Sequence, residues 1–391
     1  MAPAQPRTGA DRCPGVLSTH DALDGALARV RLPGGRISPE QLSAAAATAS
    51  AHGDGFLELT SRGNLQLRGL RDPDAAADAL LGVGLGSAGE ADKVRNILAS
   101  PLAGRIGGHG GVDDVVASLD AQLRAGSVTG LSGRFLFGID DGRGDVVAHR
   151  PDVTAVWRAD GAADLLVAGR VLGGLPRDDV VRSLLHVAVE FANAAGGAWR
   201  IDELAPPERA ALFSVVEAVV GGAGTRAAES APPTAAAGED EHEPLVGWLP
   251  QDDGRVMLGA VVPGGRLPAR TAEFFAAVQS PIIVTPWREI LLADLTEGVA
   301  EAVLRVLAPM GVIFDAASPW VRISSCAGRP GCAKSHADVR ADSADYAASN
   351  SPESREHWVG CSRGCGSPTT AHVRVEAQSD GTYRRIVMSG H

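Results

Sequence analysis

The 391-residue chain has five cysteines, two tyrosines and four methionines, and only 4% of its residues are aromatic. So few thiols exclude a disulfide-stapled secreted scaffold and fit a reducing compartment, where cysteine stays available for metals. Basic charge is also short, with 36 Lys and Arg against 47 Asp and Glu, a formal net charge of −11. A chain of that sign lacks the basic face that phosphate backbones demand, so nucleic acid is not an expected partner. No stretch approaches the roughly eighteen apolar residues of a membrane helix. The opening string MAPAQPRTGADRCPG has no apolar run after its basic residue, unlike a secretory signal. A cytoplasmic protein without a membrane partner is therefore expected.

What is present is a core-forming composition, 45% hydrophobic, in a chain long enough for two or more domains. Four of the five cysteines crowd into the last 66 residues, as Cys326-x5-Cys332 and Cys361-x3-Cys365. The surrounding strings, SSCAGRPGCAKSH and WVGCSRGCGSP, are rich in Gly, Ser and Pro, so the backbone can fold closely around whatever the thiols hold. Two metals compete for such a set. Structural zinc prefers knuckles with two to four intervening residues. Iron–sulfur clusters take four cysteines with more varied separations. The five-residue gap favours iron–sulfur over zinc. Idle thiols explain poorly why four cluster in a chain otherwise nearly free of them. Cys13 stands alone and reads as an ordinary loop residue.

The chain also reads as two copies of one plan. Pro33-Gly34-Gly35-Arg36-Ile37 returns as Pro263-Gly264-Gly265-Arg266-Leu267, and LELTSRGNLQL at 57–67 returns in muted form as IIVTPWREILL at 282–292. Ala103-Gly104-Arg105 returns as Ala327-Gly328-Arg329, and Phe137-Gly138 with Gly142 aligns with Val359-Gly360 and Gly364. Matches in one order with slowly drifting spacing point to an internal duplication. Each copy opens on a strand-like run (LARVRL; RVMLGAVV), then an Ala-rich helical stretch and alternating strands. The expected fold is α+β and pseudo-twofold, with a half domain and a larger α/β module in each copy.

The boundaries place the first half domain at 15–72, its module at 73–220, a linker at 221–244, the second half domain at 245–310 and the cysteine module at 311–391. The linker, GGAGTRAAESAPPTAAAGEDEHEP, has too few large apolar residues to offset its ordering entropy. On this alignment the four cysteines face Leu102, Gly108, Ile139 and Arg143, so only the second copy can hold the metal.

The first copy carries arginines instead: Arg29, Arg31, Arg36, Arg62, Arg68 and Arg71, then Arg95 and Arg105. Strand alternation through LTSRGNLQLR puts Arg62, Asn64, Gln66 and Arg68 on one face and Leu59, Leu65 and Leu67 on the other. Guanidinium groups take carboxylates bidentately, so this face is a candidate polyanion receptor; a solvated edge is the alternative. The second copy has lost most of that face in TPWREILLADL, so the fold does not require it. Gly84-x-Gly86-x-x-Gly89 fits a dinucleotide loop by spacing, but it follows the helix-like DAAADALL rather than a strand.

LTSRGNLQLRGL, then RNILASPLAGR, then the two cysteine pairs resemble the nitrite/sulfite reductase superfamily. The resemblance covers nearly the whole chain outside the N-terminal residues and the linker. It implies ferredoxin-like half domains alternating with reductase-type modules, and a [4Fe-4S] cluster on Cys326, Cys332, Cys361 and Cys365. In reductases the last of these ligands also bridges to the haem iron, which leaves open whether Cys365 does more than hold the cluster. Within the superfamily, the short chain, RCPG and RVRLPGGRI resemble the precorrin-3B synthase branch. Reductases set a basic residue, an aromatic and a second polar residue toward the inorganic anion. Here Arg134-Phe135-Leu136 ends on leucine, which cannot hydrogen-bond sulfite or nitrite.

That branch implies an oxidoreductase, a monooxygenase of aerobic cobalamin (vitamin B12) biosynthesis. Its substrate is the tetrapyrrole precorrin-3A, with eight carboxylate arms, converted to precorrin-3B with O2. Reducing equivalents come from an electron-donor protein or an NADH-linked reductase. Arg62, Arg95 and Arg134 match basic residues lining the reductase cavity and are the expected catalytic residues. Arg62, Asn64, Gln66, Arg68 and Arg95 are the expected substrate contacts. The family is also associated with a non-haem iron, for which His109, His149 and His336 are weighed and none assigned. Two other readings stay open: a sirohaem-dependent sulfite or nitrite reductase, and a zinc-stabilised binding module without enzymatic activity.

Overall fold

The computed structural model describes residues 13–221 and 243–389. Residues 14–86 and those from 243 onward form one compact unit, and residues 87–221 form the body of the other. The expected linker at 221–244 lies, but for its ends, outside the described residues.

The first half domain opens with β1 (His20–Ala22) and β2 (Gly25–Val30), then turns through Pro33–Gly35 into the short β3 (Arg36–Ile37). Helix α1 (Pro39–His52) starts where Ser38 and Gln41 form a reciprocal capping box with proline in the first turn. Strands β4 (Phe56–Leu59) and β5 (Leu65–Leu70) follow, then α2 (Pro73–Gly82), capped by Asp72. Ala76, Ala77, Leu80 and Leu85 join the same core, so this body runs to Gly86, beyond the boundary read at 72.

The first α/β module contains α3 (Ala91–Val94), β6 (Ile97–Ala99), α4 (Asp113–Arg124), β7 (Phe137–Asp140) and β8 (Val153–Trp157). It continues with β9 (Ala163–Val167), β10 (Arg170–Leu175), α5 (Val180–Ala194) and α6 (Pro206–Gly221). Its sheet runs β10-β9-β8-β7-β6, with β6 to β8 parallel and β8 to β10 antiparallel. All of β8 is buried, as expected of a strand covered on both faces.

The second half domain consists of β11 (Gly247–Pro250), β12 (Val256–Val261), β13 (Arg266–Pro268), α7 (Ala269–Ala277), β14 (Ile282–Val284), β15 (Glu289–Leu295) and α8 (Glu297–Leu307). The second module adds β16 (Ile323–Ser325), α9 (Val339–Ala347), β17 (Glu356–Val359), β18 (His372–Ala377) and β19 (Tyr383–Met388). Here β16, β17 and β18 are parallel and β19 closes the edge antiparallel.

The two half-domain sheets have the same strand order, β1-β2-β5-β4-β13 and β11-β12-β15-β14-β3. Each hands its short third strand to the other: β13 pairs with β4 (Leu267 opposite Leu57) and β3 with β14 (Ile37 opposite Ile282). One apolar core therefore serves both sheets. Ala45, Ala46 and Ala49 of α1 and Ala269, Ala272 and Ala276 of α7 lie in it, and the two helices pack together. Side chains this small let helices approach closely. Gly35, at φ 76°, passes Val284 where a Cβ would strike the carbonyl oxygen, which gives the PGG string its purpose at the crossover.

The α+β class expected from the sequence holds. Gly84, Gly86 and Gly89 lie between α2 and α3 with no strand before them, unlike a dinucleotide loop. Among the described residues no helix is long and apolar enough to cross a membrane.

Candidate metal centre

Ligand sites of parallel sheets form at the carboxyl ends of the strands. Cys326 follows β16 directly and Cys361 comes two residues after β17. The Cys326 N–H donates to Trp358 O at 2.9 Å, and the Gly360 N–H donates to Cys326 Sγ at 3.3 Å. A Cβ on Gly360 would strike Ser335 Oγ, so the loops meet only because that residue is glycine. His336 N–H donates to Gly360 O at 2.8 Å and ties the loops a second time. Cys326, Cys332 and Cys361 are half-buried, Cys365 is exposed, and none of the five cysteines is in a disulfide. Burial pushes the Cys326 thiol up, N–H groups of Gly360 and Gly328 pull it back, and neighbouring Cys365 and Cys332 push it up again. Cys326 thus feels the thiols of Cys365 and Cys332.

The second loop is held from below by two residues that sequence reading missed. His357 Nε2 lies 3.0 Å from Cys365 O and its Nδ1 lies 2.8 Å from Ser324 Oγ. A carbonyl only accepts, so Nε2 carries the proton and Nδ1 accepts from the serine. Burial, then the adjacent Arg288 charge, push the His357 pKa down to about 3 and keep the ring neutral. Arg288 Nη2 donates to Gly366 O at 2.5 Å. Arg288 in TPWRE and His357 in REHWVGC carry no motif signal; only their proximity to the loop reveals them.

Four thiols on two converging loops, with backbone N–H groups on a sulfur, fit a thiolate-held metal or cluster. The sulfurs supply the ligands, and the N–H groups offset their charge.

The first module shows the same backbone without the thiols. Ser100 N–H donates to Ile139 O, as Cys326 does to Trp358 O, and Asp141 N–H donates to Ser100 Oγ at 3.0 Å, as Gly360 does to Cys326 Sγ. His109 N–H donates to Asp141 O at 2.7 Å, matching His336 and Gly360. These bonds correct the alignment: Ser100, not Leu102, stands for Cys326, and Gly142, not Ile139, stands for Cys361. His109 and His336 are exposed and hold loops through their backbones, and His149 is buried in a short turn.

The arginine face read from alternation does not form. Arg62 and Asn64 lie in the turn before β5, so they share no strand face with Gln66 and Arg68. Asn64 is 2% exposed and its Oδ1 accepts the Leu32 N–H at 2.8 Å, which makes it a turn clamp rather than a substrate contact. Gln66 bridges Arg29 and Glu58. Arg68 is buried, donates twice to Asp24 at 3.0 Å and also to Gly331 O beside Cys332, so its fork is already taken. Arg95 is 0% exposed and paired to Asp120 at 2.9 Å inside the first module, which removes it from the surface a macrocycle could reach. Arg62 is half-buried; Arg134 is exposed, with its guanidinium 5.2 Å over the Trp199 ring.

Comparison with known proteins agrees with this architecture. A sequence model of the nitrite/sulfite reductase ferredoxin-like half domain matches residues 20–77. The chain is 27% identical over 404 aligned residues to a precorrin-3B synthase of a Sinorhizobium species, covering 97% of this chain and 82% of that protein. It is 28% identical over 403 residues to the ferredoxin–nitrite reductase of Synechococcus elongatus, covering 89% and 75%. The solved structure of the Mycobacterium tuberculosis NirA protein shares its fold, with a TM-score of 0.75 at 17% identity over 98% of this chain and 78% of that one. The half-domain match, the near-full-length likeness and the shared fold all make the chain similar to proteins of the nitrite/sulfite reductase superfamily.

Proposed function

We propose that the protein is an iron–sulfur oxidoreductase of the precorrin-3B synthase type, a monooxygenase that converts precorrin-3A to precorrin-3B in aerobic cobalamin biosynthesis. The observation that carries this reading is the near-full-length likeness to a precorrin-3B synthase in a chain whose four clustered cysteines sit on adjoining loops. One atom of O2 enters the macrocycle and the other leaves as water. The two electrons and two protons this needs come from a donor protein or an NADH-linked reductase. Cys326, Cys332, Cys361 and Cys365 would hold a [4Fe-4S] cluster, which when bound supplies electrons one at a time. Arg62 remains the candidate for contacts to substrate carboxylates, since Asn64, Gln66, Arg68 and Arg95 are engaged by internal partners, and Arg134 remains a candidate catalytic residue.

Leu136 supports this choice over reduction of an inorganic anion. It is 2% exposed and packs in a buried cluster with Leu98 and Val146, so this position brings no polar group to an oxyanion. The likeness to the Synechococcus ferredoxin–nitrite reductase supports a second reading, a sirohaem-dependent reductase. Anaerobic purification followed by metal analysis and absorption spectroscopy, with and without precorrin-3A and O2, separates the readings. The expected result is about four irons per chain, no sirohaem bands in the red, and a product one oxygen atom heavier than the substrate. Intense red bands with nitrite or sulfite turnover would establish the reductase instead, and zinc in place of iron would leave only a binding module.

A further inference from the structure

The turn Thr285–Glu289 repeats the turn Thr60–Asn64 bond for bond. Arg288 N–H donates to Thr285 O at 3.0 Å as Gly63 N–H does to Thr60 O at 3.1 Å, and each threonine N–H donates to the fifth residue's carbonyl at 2.9 Å. The fourth residue must adopt a left-handed backbone. Gly63 does so at φ 62° without cost, whereas Arg288 does so at φ 65° with a side chain in the way.

That side chain is also a buried charge. Arg288 is 9% exposed, and its guanidinium donates to Gly366 O, next to Cys365. Among the described residues no carboxylate pairs with it, and Glu58, which acts on it at longer range, is engaged by Arg340 and Gln66. Gly265 leaves room for its stem, where a Cβ would come within 2.9 Å of Arg288 Cδ. Arg355 adds a further positive charge near Arg288, and Arg374, another cation against this loop at Gly364, has Glu376 at 3.5 Å. A strained backbone and an uncompensated buried guanidinium persist together only where something anionic balances them. A cluster held by four thiolates carries net negative charge and gains more on reduction.

We propose that Arg288 is a positioning residue for the cysteine site, its buried guanidinium favouring the reduced, more negative form of the cluster held there; this rests on the iron–sulfur reading of the four thiols. In the step concerned, one electron enters the cluster from an external reductant, no bond forms or breaks, and Arg288 keeps its protons.

The test compares reconstituted full-length wild type, Arg288→Gln and Arg288→Lys by iron content and by EPR-monitored titration with dithionite. Arg288→Gln keeps a donor for Gly366 but not the charge, and is expected to lower the midpoint potential. Arg288→Lys keeps the charge and is expected to stay nearer the wild type. If Arg288→Gln fails to hold iron while Arg288→Lys holds it, the charge is again what matters. A potential unchanged or raised in Arg288→Gln, equally low potentials in both variants, or loss of iron from both would overturn the assignment while leaving the cluster reading intact. Wild-type protein that takes up no iron overturns the cluster reading itself, and the assignment with it.

Discussion

The two α/β modules set the same loops after the same parallel strands and give them opposite chemistry. In the first, Ser100 Oγ accepts from Asp141 and lies 2.6 Å from Asp145 Oδ1, to which it donates. Asp140, 0% exposed, accepts backbone N–H groups from Gly142, Gly144, Val146 and Val147 at 2.9–3.1 Å. Asp141 holds Arg143 in a bidentate pair at 2.7 and 2.6 Å. Oxygens of Asp140, Asp141 and Asp145 lie within 4.8 Å of one another, as a metal site requires, yet their own loop has already engaged them. In the second module the equivalent hydrogen bond ends on sulfur. Thiols are weak donors and acceptors, so four of them cannot satisfy one another and stay available to a metal. One scaffold thus yields a loop that closes on itself and a loop that waits for a ligand.

The sharpest way to break the comparison is Cys361→Ser, expected to abolish bound iron and brown colour, with Cys13→Ser as a control that keeps both. Iron assay and visible spectra check this, and like behaviour of the two variants would overturn the division of the cysteines. Next in size, Asp140→Ala leaves four N–H groups, two buried and two partly buried, without their acceptor and should cost about 3–5 kcal/mol. Urea unfolding measures the loss, while iron content should hold if the acidic loop is structural.

A pH effect sharpens the same contrast. Burial, then the charge of Asp140, raise the Asp145 carboxyl to about 7. The unfolded chain releases that proton near pH 4, so between these values the folded state binds more protons than the unfolded one. Stability therefore falls as pH rises from about 4 through about 7, by a few kcal/mol in order of magnitude. Asp145→Asn should flatten that fall, which urea midpoints at acidic and neutral pH would reveal; an unchanged slope would place its origin elsewhere. The smallest expected effect is Arg62→Ala, which should weaken tetrapyrrole binding about tenfold without loss of iron. Iron lost from that variant would mark Arg62 as structural.

Much of this was legible because it is local. The cysteine spacing, the PGG strings and the capping signals at Ser38 are read from neighbours in the chain. The polar face at 62–68 was misread because alternation presumes a strand, and the Thr60–Asn64 hydrogen bonds make a turn there instead. The slip between Leu102 and Ser100 arose because AGR recurs by letter, while the equivalence is set by which backbone groups bond to the next strand.

Sequence alone determined the α+β class, the four-thiol set confined to the last module and the resemblance to one superfamily. These follow from residue type and spacing, which need no long-range contact to be read. Only the tertiary structure decided the exchange of β3 and β13, the burial of Arg95, the Arg68–Asp24 pair and the Arg288 and His357 supports beneath Cys365. Those depend on partners tens to hundreds of residues away, and whether a charge is spent or available is fixed by what packs against it.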